Sequence, residues 1–329
     1  MKTTRASLHL ISLLPATLLL AAACAGPADM ETNEEASASE LDVTALGASR
    51  AHLLPLPDAS RARPKTSQDG FDWGGQGGYN FTHHGGPVIS NVKVVTVFWN
   101  SHVPNQGKLN SFYQAIVQSP HMDWLKEYNT DKQSIGRGSF LASYVDTGAP
   151  ASTSLKDPDI QKELGRLIDT GKVPAPDADT LYMVHFPAGV AIELEGSHSC
   201  QQFCAYHGTF TNDGKNVYYG VMPDFSGGCT ACGGTSDKLQ NTTIISSHEL
   251  VEAITDPAIG IANAKNDASF LAWYDDQNGE IGDVCQSDAG EVAGWMVQAE
   301  YSMKAGACVV TASDAGHGNQ GGPGFPNWP

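Results

Sequence analysis

The placement of seven cysteines constrains the fold of this 329-residue chain more than any other feature of its sequence. Six of them lie between positions 200 and 308, and the seventh, Cys24, follows an apolar N-terminal segment. Residues 1–23 begin with basic side chains, continue with an apolar stretch and end in three alanines. This order is typical of a signal peptide for export. The stretch is short for a membrane-spanning helix, which needs about 20 residues.

Cys24 leaves two forms of export open. A cysteine directly after the signal segment is typical of a lipoprotein, whose mature chain begins with an acylated Cys24 and attaches to the outer membrane or cell surface. Lipoprotein signals usually carry leucine three residues before that cysteine, and here the position is Ala21. Cleavage at an A-x-A site with free secretion is therefore the alternative. In both cases we expect an exported protein.

The six remaining cysteines are expected to form three disulfide bonds, because an exported chain folds in an oxidising environment. The spacings C-x3-C and C-x2-C also permit a structural zinc site, but export favours disulfides. We predict two local pairs and one longer one, namely Cys200–Cys204, Cys229–Cys232 and Cys285–Cys308.

The chain is acidic and contains few charged residues. Lys and Arg number 19 against 36 Asp and Glu, which gives a formal net charge of −17. A field of this sign repels nucleic-acid phosphates and anionic lipids, so it disfavours a nucleic-acid partner. With 41% hydrophobic residues the chain is long enough to bury a sizeable core. We expect a monomer.

The sequence divides into five segments. Residues 24–70 are rich in Ala, Ser, Pro and acids without a sustained period, which predicts a disordered tether or a propeptide. The folded part comprises an α/β domain at 71–257 and a smaller, irregular, disulfide-stabilised C-terminal part at 258–313. A flexible Gly- and Pro-rich tail follows at 314–329, and residues 1–23 are the signal peptide.

Strands and helices alternate along the first part of the predicted fold. This order indicates an α/β or α+β class with a mixed sheet. Continuous β-branched and aromatic runs predict strands at 92–99, 139–146, 179–187 and 216–223. Helical spacing predicts two short helices within 108–128, a helix at 157–171 with Asp157 as N-cap, and a helix at 242–255. We interpret 196–208 and 226–235 as Gly- and Cys-containing loops, and 258–313 as mostly strand and loop.

The segment SSHELVEAITDP at 246–257 carries the strongest indication of chemistry. On a helix, His248 and Glu252 share one face, so both can bind the same ion. Glu249 lies one step around, where it can contact a metal-bound water. The spacing is that of the zincin motif H-E-x-x-H with Glu at the second His position. It predicts a zincin-like mixed sheet with an active-site helix that binds Zn²⁺ or another divalent cation.

A second acidic segment, AWYDDQNGEIGDVC at 272–285, can complete this site. A zinc site needs a further ligand from outside the helix and a neighbouring acid that orients the histidine. Glu280 is our first choice for that ligand and Asp283 the second, while Asp256 is less favoured because a proline follows it. The spacing does not fit an EF-hand calcium loop, and a solvated acidic turn is the alternative.

Other chemistries lack their motifs. The chain has no G-x-S-x-G nucleophile elbow, and its glycine clusters lack the Lys-Ser/Thr ending of a phosphate-binding loop. The scattered histidines are interpreted as structural or surface residues. His198 and His207 flank the first cysteine pair, so they can line the same cleft.

Four segments together resemble one family. They are FTHHGGPVISNVKVVTVFWN, AIELEGSHSCQQFCAYHG, FSGGCTACGG, and SHELVEAITDP followed by AWYDDQNGEIGDVC. The chain is similar over about residues 79–310 to the phosphate-induced, EXORDIUM-like secreted proteins, and especially to their bacterial branch. The pairing of HELVEAITDP with EIGDVC is the most specific part. The resemblance implies an extracellular protein associated with the cell wall, and it carries no established chemistry.

Two functions are consistent with the sequence. The first is an exported metal-dependent hydrolase, and most directly a zinc metallopeptidase that acts on a peptide or protein. Its zinc would be held by His248, Glu252 and either Glu280 or Asp283, with Glu249 as general base. The second is a non-catalytic surface or wall-associated protein with a structural metal. An open cleft at Glu249 would favour catalysis, and a closed, fully protein-ligated ion the structural role.

Overall fold

The computed structural model of the protein describes residues 53–55, 79–225, 229 and 231–314. The predictions for the signal peptide 1–23, the lipid anchor at Cys24 and nearly all of the tail lie outside the described residues. So does most of 24–70, the predicted tether. Among the residues that are described, no helix is long and apolar enough to cross a membrane.

The described chain is mixed α/β with several sheets. The strands are β1 Leu53–Pro55, β2 Thr82–His83, β3 Lys93–Phe98, β4 Ser139–Val145, β5 Ser154–Lys156, β6 Thr180–His185, β7 Ala191–Leu194, β8 Ser197–His198, β9 Phe203–Asn212, β10 Lys215–Met222, β11 Trp273–Tyr274, β12 Ala289–Val292, β13 Trp295–Gln298, β14 Glu300–Ser302 and β15 Ala307–Val309. The α-helices are α1 Gln106–Ile116, α2 Asp157–Asp169, α3 Lys238–Thr255 and α4 Ile259–Lys265. Short 3₁₀ helices lie at Trp124–Tyr128, Ala268–Phe270 and Asp283–Cys285. The predicted α/β class is confirmed.

A six-stranded mixed sheet, in the order β1-β9-β10-β6-β3-β4, organises these elements. The pairs β10–β6, β6–β3 and β3–β4 are parallel, whereas β9 runs antiparallel to β10 and β1 antiparallel to β9. The four strands predicted from apolar runs are the four parallel ones. Strands β3, β6 and β10 are buried on both faces, which explains why their sequences read as continuous apolar runs, whereas the edge strand β4 has exposed residues alternating with partly buried ones.

Helices cover both faces of this sheet. Successive residues of a strand point to opposite faces, so Val94 packs in one buried cluster and Val95 in another. The first cluster contains apolar side chains of α1 and α3, and the second contains those of α2. Helix α3, which carries the predicted motif, therefore lies on one face, and α2 lies on the other.

Three local predictions differ from the structure. The N-cap of α2 is Lys156 rather than Asp157, since the Lys156 backbone N–H donates to Asp159 Oδ2 at 3.0 Å. Strand β9 occupies much of the region interpreted as a loop, because the glycine and cysteines there obscured its extended run. Helix α4 forms where strand and loop were expected.

The disulfides also correct the sequence interpretation in part. The predicted number of three disulfides is confirmed, and so is the predicted pairing of Cys285 with Cys308. The two local pairs are wrong, because the bonds are Cys200–Cys229 and Cys204–Cys232, with Cα–Cα distances of 4.6 and 5.6 Å. Cys204 already belongs to the extended strand β9, and Cys200 lies in the turn before it. Each therefore meets a cysteine of the loop that precedes α3, which ties this loop to β9.

Candidate metal site

Helix α3 supplies the centre of the site and is buried over most of its length. It begins after Asp237, whose Oδ1 accepts hydrogen bonds from two backbone N–H groups of the first turn at 2.8 and 3.1 Å. It ends before Asp256-Pro257, because proline disfavours a helical conformation for the residue before it. Every residue from 243 to 255 is buried, since α3 packs between the sheet strands β9 and β10 and the C-terminal strand β13.

Three other segments bring polar side chains against this helix. Strand β9 contributes His207, the turn around the last 3₁₀ helix contributes Glu280 and Asp283, and β13–β14 contribute Gln298 and Glu300. All but Asp283 are at most 1% exposed, and Asp283 is partly buried with its Oδ1 inaccessible. The structure thus brings the predicted site residues His248, Glu249, Glu252, Glu280 and Asp283 into one buried cluster. We call these residues, with His207, Asp256, Gln298 and Glu300, the Glu252 cluster.

His248 and Glu252 contact each other across one helical turn, as their spacing implied. His248 Nε2 lies 3.0 Å from Glu252 Oε2, and the Gln298 side-chain nitrogen lies 2.8 Å from His248 Nδ1. Glu252 Oε1 accepts hydrogen bonds from the backbone N–H groups of Gly282 and Asp283, both at 3.1 Å. The imidazole and the carboxylate are therefore both held in place by groups of the C-terminal part.

His207 approaches the same acids from strand β9. Its Nδ1 lies 3.4 Å from Glu249 Oε2 and 3.9 Å from Glu252 Oε2. Its Nε2 lies 3.4 Å from Glu280 Oε1 and 3.3 Å from the carbonyl oxygen of Asp256. His207 is thus a member of the cluster, whereas the sequence favours a structural or surface role for it, with a place beside the first cysteine pair as the alternative.

Two groups of three residues have donor atoms close enough to hold a metal ion. In each group, one donor atom per residue lies within 4.8 Å of the other two, and the groups are His207, Glu249 and Glu252, and His248, Glu252 and Asp283. The second group contains three of the four predicted ligands. Glu280 lies against His207 instead, so Asp283 is the acid that joins His248 and Glu252.

Nine buried atoms of the cluster have no hydrogen-bond partner among the described residues. They are His248 Nε2, Glu249 Oε1, Glu252 Oε2, Asp256 Oδ2, both side-chain oxygens of Glu280 and of Glu300, and Asp283 Oδ1. Buried polar atoms normally have partners, and a buried carboxylate without one is costly. In the described part of the chain, the ion pairs of the cluster involve only histidine as the basic partner.

Burial and mutual repulsion change the protonation of the cluster. Burial raises the pKa of Glu249, raises that of Asp256 to about 7, and holds the pKa values of Glu280, Asp283 and Glu300 well above the usual range. Burial alone would lower the pKa of both histidines. The adjacent acids outweigh it, and they raise the pKa of His207 well above its usual value and that of His248 to about 10. The cluster therefore attracts positive charge, as protons or as a cation.

Gly282 allows the C-terminal part to approach this closely. A Cβ atom at this position would overlap Glu300 Oε2 and come within 2.5 Å of His248 Nδ1 and 2.8 Å of Glu252 Oε1. Only glycine leaves room for the backbone N–H of residue 282 to reach the Glu252 carboxylate.

The cluster is closed to solvent, since His248, Glu249 and Glu252 are 0% exposed. A cavity of about 210 Å³ lies beside it and is lined by His207, with Asp157, Tyr206 and Tyr219 among its other walls. None of the carboxylates of the Glu252 cluster lines this cavity.

Sequence reasoning missed His207, Gln298 and Glu300. A signal for the last two exists, because they alternate with apolar residues in the segment VQAEYS and so share one face of an extended chain. His207 follows Ala205 and Tyr206 in an apolar run that the interpretation as a loop concealed.

No family model, no curated protein and no solved structure matches the chain. The chemical interpretation therefore depends on the geometry of the chain's own residues. The zincin-like fold and the resemblance to EXORDIUM-like proteins stay predictions.

Proposed function

We propose that the protein is an exported metalloprotein that binds a divalent cation in the Glu252 cluster. The observation that carries this proposal is the set of nine buried donor and acceptor atoms without a hydrogen-bond partner among the described residues; three of them have only a histidine–carboxylate contact. A bound cation provides these atoms with ligand bonds, and it offsets the charge of acids whose burial is otherwise unfavourable.

The donor atoms favour particular cations. They are imidazole nitrogens and carboxylate oxygens, and all six cysteines from Cys200 onward are in disulfides, so no thiolate is offered. Zinc accepts such a set, and Mn²⁺ and other cations that prefer oxygen accept it as well. By proximity, His248, Glu252 and Asp283 are the ligands that we propose, and Zn²⁺ is the expected ion.

A structural role is the one that the burial supports best. The proposed ligands lie on helix α3 and on the C-terminal part, so a cation between them joins the two. The ligand atoms are enclosed by protein, which is typical of structural sites and unlike catalytic sites with an open coordination position.

Metal-dependent hydrolysis is the second candidate, and the position of Glu249 favours it. Glu249 directly follows His248 on α3, and its Oε1 is buried without a hydrogen-bond partner among the described residues. A bound cation would lower the pKa of a water ligand, and Glu249 would take the proton as general base. This role, with a zincin-like fold and a peptide or protein substrate, requires a movement that opens the cluster.

Export is part of the proposal. The three disulfides support an oxidising compartment. We propose that the protein is secreted or attached to the cell surface through Cys24, in keeping with its resemblance to EXORDIUM-like secreted proteins.

Metal analysis of the purified protein tests the binding proposal. We expect stoichiometric divalent metal in the wild type, and strongly reduced metal in Glu252→Gln. The matched control is Asp276→Asn, which changes a 73% exposed acid of the same segment and should keep the metal. Metal-free wild-type protein after reconstitution with Zn²⁺ and Mn²⁺ would show that the proposal is wrong.

Glu249→Gln separates the two roles. If the metal is structural, neither this variant nor the wild type hydrolyses a broad peptide library. If the metal is catalytic, the wild type hydrolyses peptides and the variant loses at least 100-fold in rate, the scale of general-base catalysis.

A further inference from the structure

We infer that the Glu252 cluster holds two divalent cations, with the Glu252 carboxylate as the bridge between them. This inference rests on the proposed cation binding and adds the number of ions and their ligands. The first ion would be bound by His207, Glu249 and Glu252, and the second by His248, Glu252 and Asp283. These are the two groups whose donor atoms lie within 4.8 Å of one another, and Glu252 belongs to both.

The geometry of Glu252 fits a bridging ligand. Its Oε1 is held by the backbone N–H groups of residues 282 and 283, so the carboxylate cannot turn away. Its Oε2 has no hydrogen-bond partner among the described residues, and it lies 3.0 Å from His248 Nε2 and 3.9 Å from His207 Nδ1. A single carboxylate therefore faces two imidazoles that come from different elements, α3 and β9.

In each imidazole, one ring nitrogen contacts a neighbouring group that holds the ring in place, and the other lies beside the carboxylates. Gln298 contacts His248 Nδ1, which leaves Nε2 beside Glu252. The carbonyl oxygen of Asp256 and the Glu280 carboxylate contact His207 Nε2, which leaves Nδ1 beside Glu249 and Glu252. At His207 both neighbours are acceptors, so Nε2 carries the hydrogen and Nδ1 keeps the lone pair that a metal needs, as is common in metal-binding histidines. At His248 the Gln298 amide nitrogen contacts Nδ1, so a cation at Nε2 would have to replace the proton there.

The number of acids also favours two ions. The cluster contains six acidic side chains, namely Glu249, Glu252, Asp256, Glu280, Asp283 and Glu300, all with at least one buried oxygen. One divalent cation offsets two negative charges, whereas two cations offset four. Glu280 Oε2 and both side-chain oxygens of Glu300 have no hydrogen-bond partner among the described residues, so these two acids remain available to complete the coordination of the ions.

The ligand set indicates which metal ions the two sites would bind. Two histidines and several carboxylates suit Mn²⁺, Zn²⁺ or Fe²⁺ rather than ions that prefer thiolates. In protein sites with two metal ions, the ions are about 3.5–4 Å apart, which is a distance that one carboxylate can bridge.

Metal counting on the full chain tests the inference. The protein is stripped with a chelator, reconstituted with Mn²⁺ or Zn²⁺, and its metal content is measured per chain. We expect two ions in the wild type, one in His207→Gln and one in Asp283→Asn. The controls His198→Gln and Asp276→Asn change a partly exposed histidine of β8 and an exposed acid of the segment 272–285, and they should keep both ions.

Electron paramagnetic resonance of the Mn²⁺-loaded wild type gives a second measurement that needs no variant. Two bridged ions produce a spin-coupled spectrum, and an isolated ion produces six hyperfine lines. An isolated-ion spectrum at saturation, or one ion per wild-type chain that both variants lose, would overturn the two-ion inference and leave the proposed cation binding standing. A wild type that retains no ion would overturn both.

Discussion

Strand β9 separates two buried acidic regions that differ in how their charge is accommodated. On one face, Asp157 accepts hydrogen bonds from the hydroxyls of Tyr206 and Tyr219, both at 2.7 Å, and from the Gln161 amide at 2.6 Å. On the other face, the residue after Tyr206 is His207, which meets the Glu252 cluster. There, Glu300 has no hydrogen-bond donor at either side-chain oxygen among the described residues, and Glu280 has a 3.4 Å contact with His207 at one oxygen only.

This difference shows what each region needs in order to be stable. A buried carboxylate is tolerated when hydrogen bonds replace its lost hydration, and Asp157 has three such bonds from protein side chains. The Glu252 cluster contains six acids, and several of their buried oxygens have no hydrogen-bond donor among the described residues, which is why we propose that a cation binds there.

Removal of metal should destabilise the protein, and the loss should come from the Glu252 cluster and not from the region around Asp157. At a metal concentration 100 times the dissociation constant, a bound ion contributes about 2.7 kcal/mol, and tight sites contribute more. For a chain of this size we expect chelation to lower Tm by roughly 5–10 °C, as measured by calorimetry with and without a chelator.

The matched control for chelation is Asp157→Asn, which disturbs the other face of β9. Its Tm should fall on chelation by as much as that of the wild type, because Asp157 belongs to the region that needs no ion. A wild-type Tm that chelation leaves unchanged would contradict the comparison.

Asp157→Ala should destabilise the protein by about 2–3 kcal/mol, with or without metal. The substitution removes the acceptor of two buried tyrosine hydroxyls, and each polar group left without a partner costs about 1–3 kcal/mol. Urea unfolding at saturating metal and in chelator measures this value in both states. Asp169→Ala, at the exposed end of the same helix, should cost less than about 0.5 kcal/mol. A metal-dependent effect of Asp157→Ala would mean that the two regions are coupled.

The centre of the site could be predicted from sequence because local spacing determines it. His248 and Glu252 share a face on any helix, and the helix itself is indicated by its apolar pattern and by the proline after Asp256. The short separation of Glu280 and Asp283 likewise placed both in one turn. The structure confirms the helix and brings these residues together, and their roles as ligands stay predictions.

The remaining members of the cluster depend on long-range placement, which spacing does not encode. His207 reaches the site only because β9 pairs antiparallel with β10 beside α3, and Glu300 only because β13 and β14 return across the helix. The same reason explains the wrong disulfide pairs. Cys200 and Cys204 are near each other in sequence, but the loop that packs across them supplies the closer partners.

Buried His121, which belongs to neither region, should make the stability of the whole protein sensitive to acid. Burial lowers the pKa of His121 to about 4, while the unfolded chain binds this proton near pH 6.5. Between these values the unfolded state binds more protons, so stability falls as pH decreases. By pH 5 the loss is about 2 kcal/mol relative to pH 8, and it should be smaller in His121→Gln. Urea unfolding across this pH range, at saturating metal, checks the difference; parallel pH profiles for the two proteins would be the contrary result.

Glu300→Gln should have the smallest effect and the opposite sign to Asp157→Ala when metal is absent. Glu300 is fully buried beside His248 and Glu252, and neither of its oxygens has a hydrogen-bond partner among the described residues. Burial disfavours the charged form of Glu300 and holds its pKa well above the usual range. A neutral amide of similar shape avoids this cost, so the metal-free protein should gain about 1 kcal/mol. With metal bound, the same carboxylate offsets positive charge, and the gain should disappear or become a loss. Urea unfolding of Glu300→Gln and wild type, each in chelator and at saturating metal, measures this reversal. A destabilised variant in chelator would show that Glu300, like Asp157, is already accommodated by the protein itself.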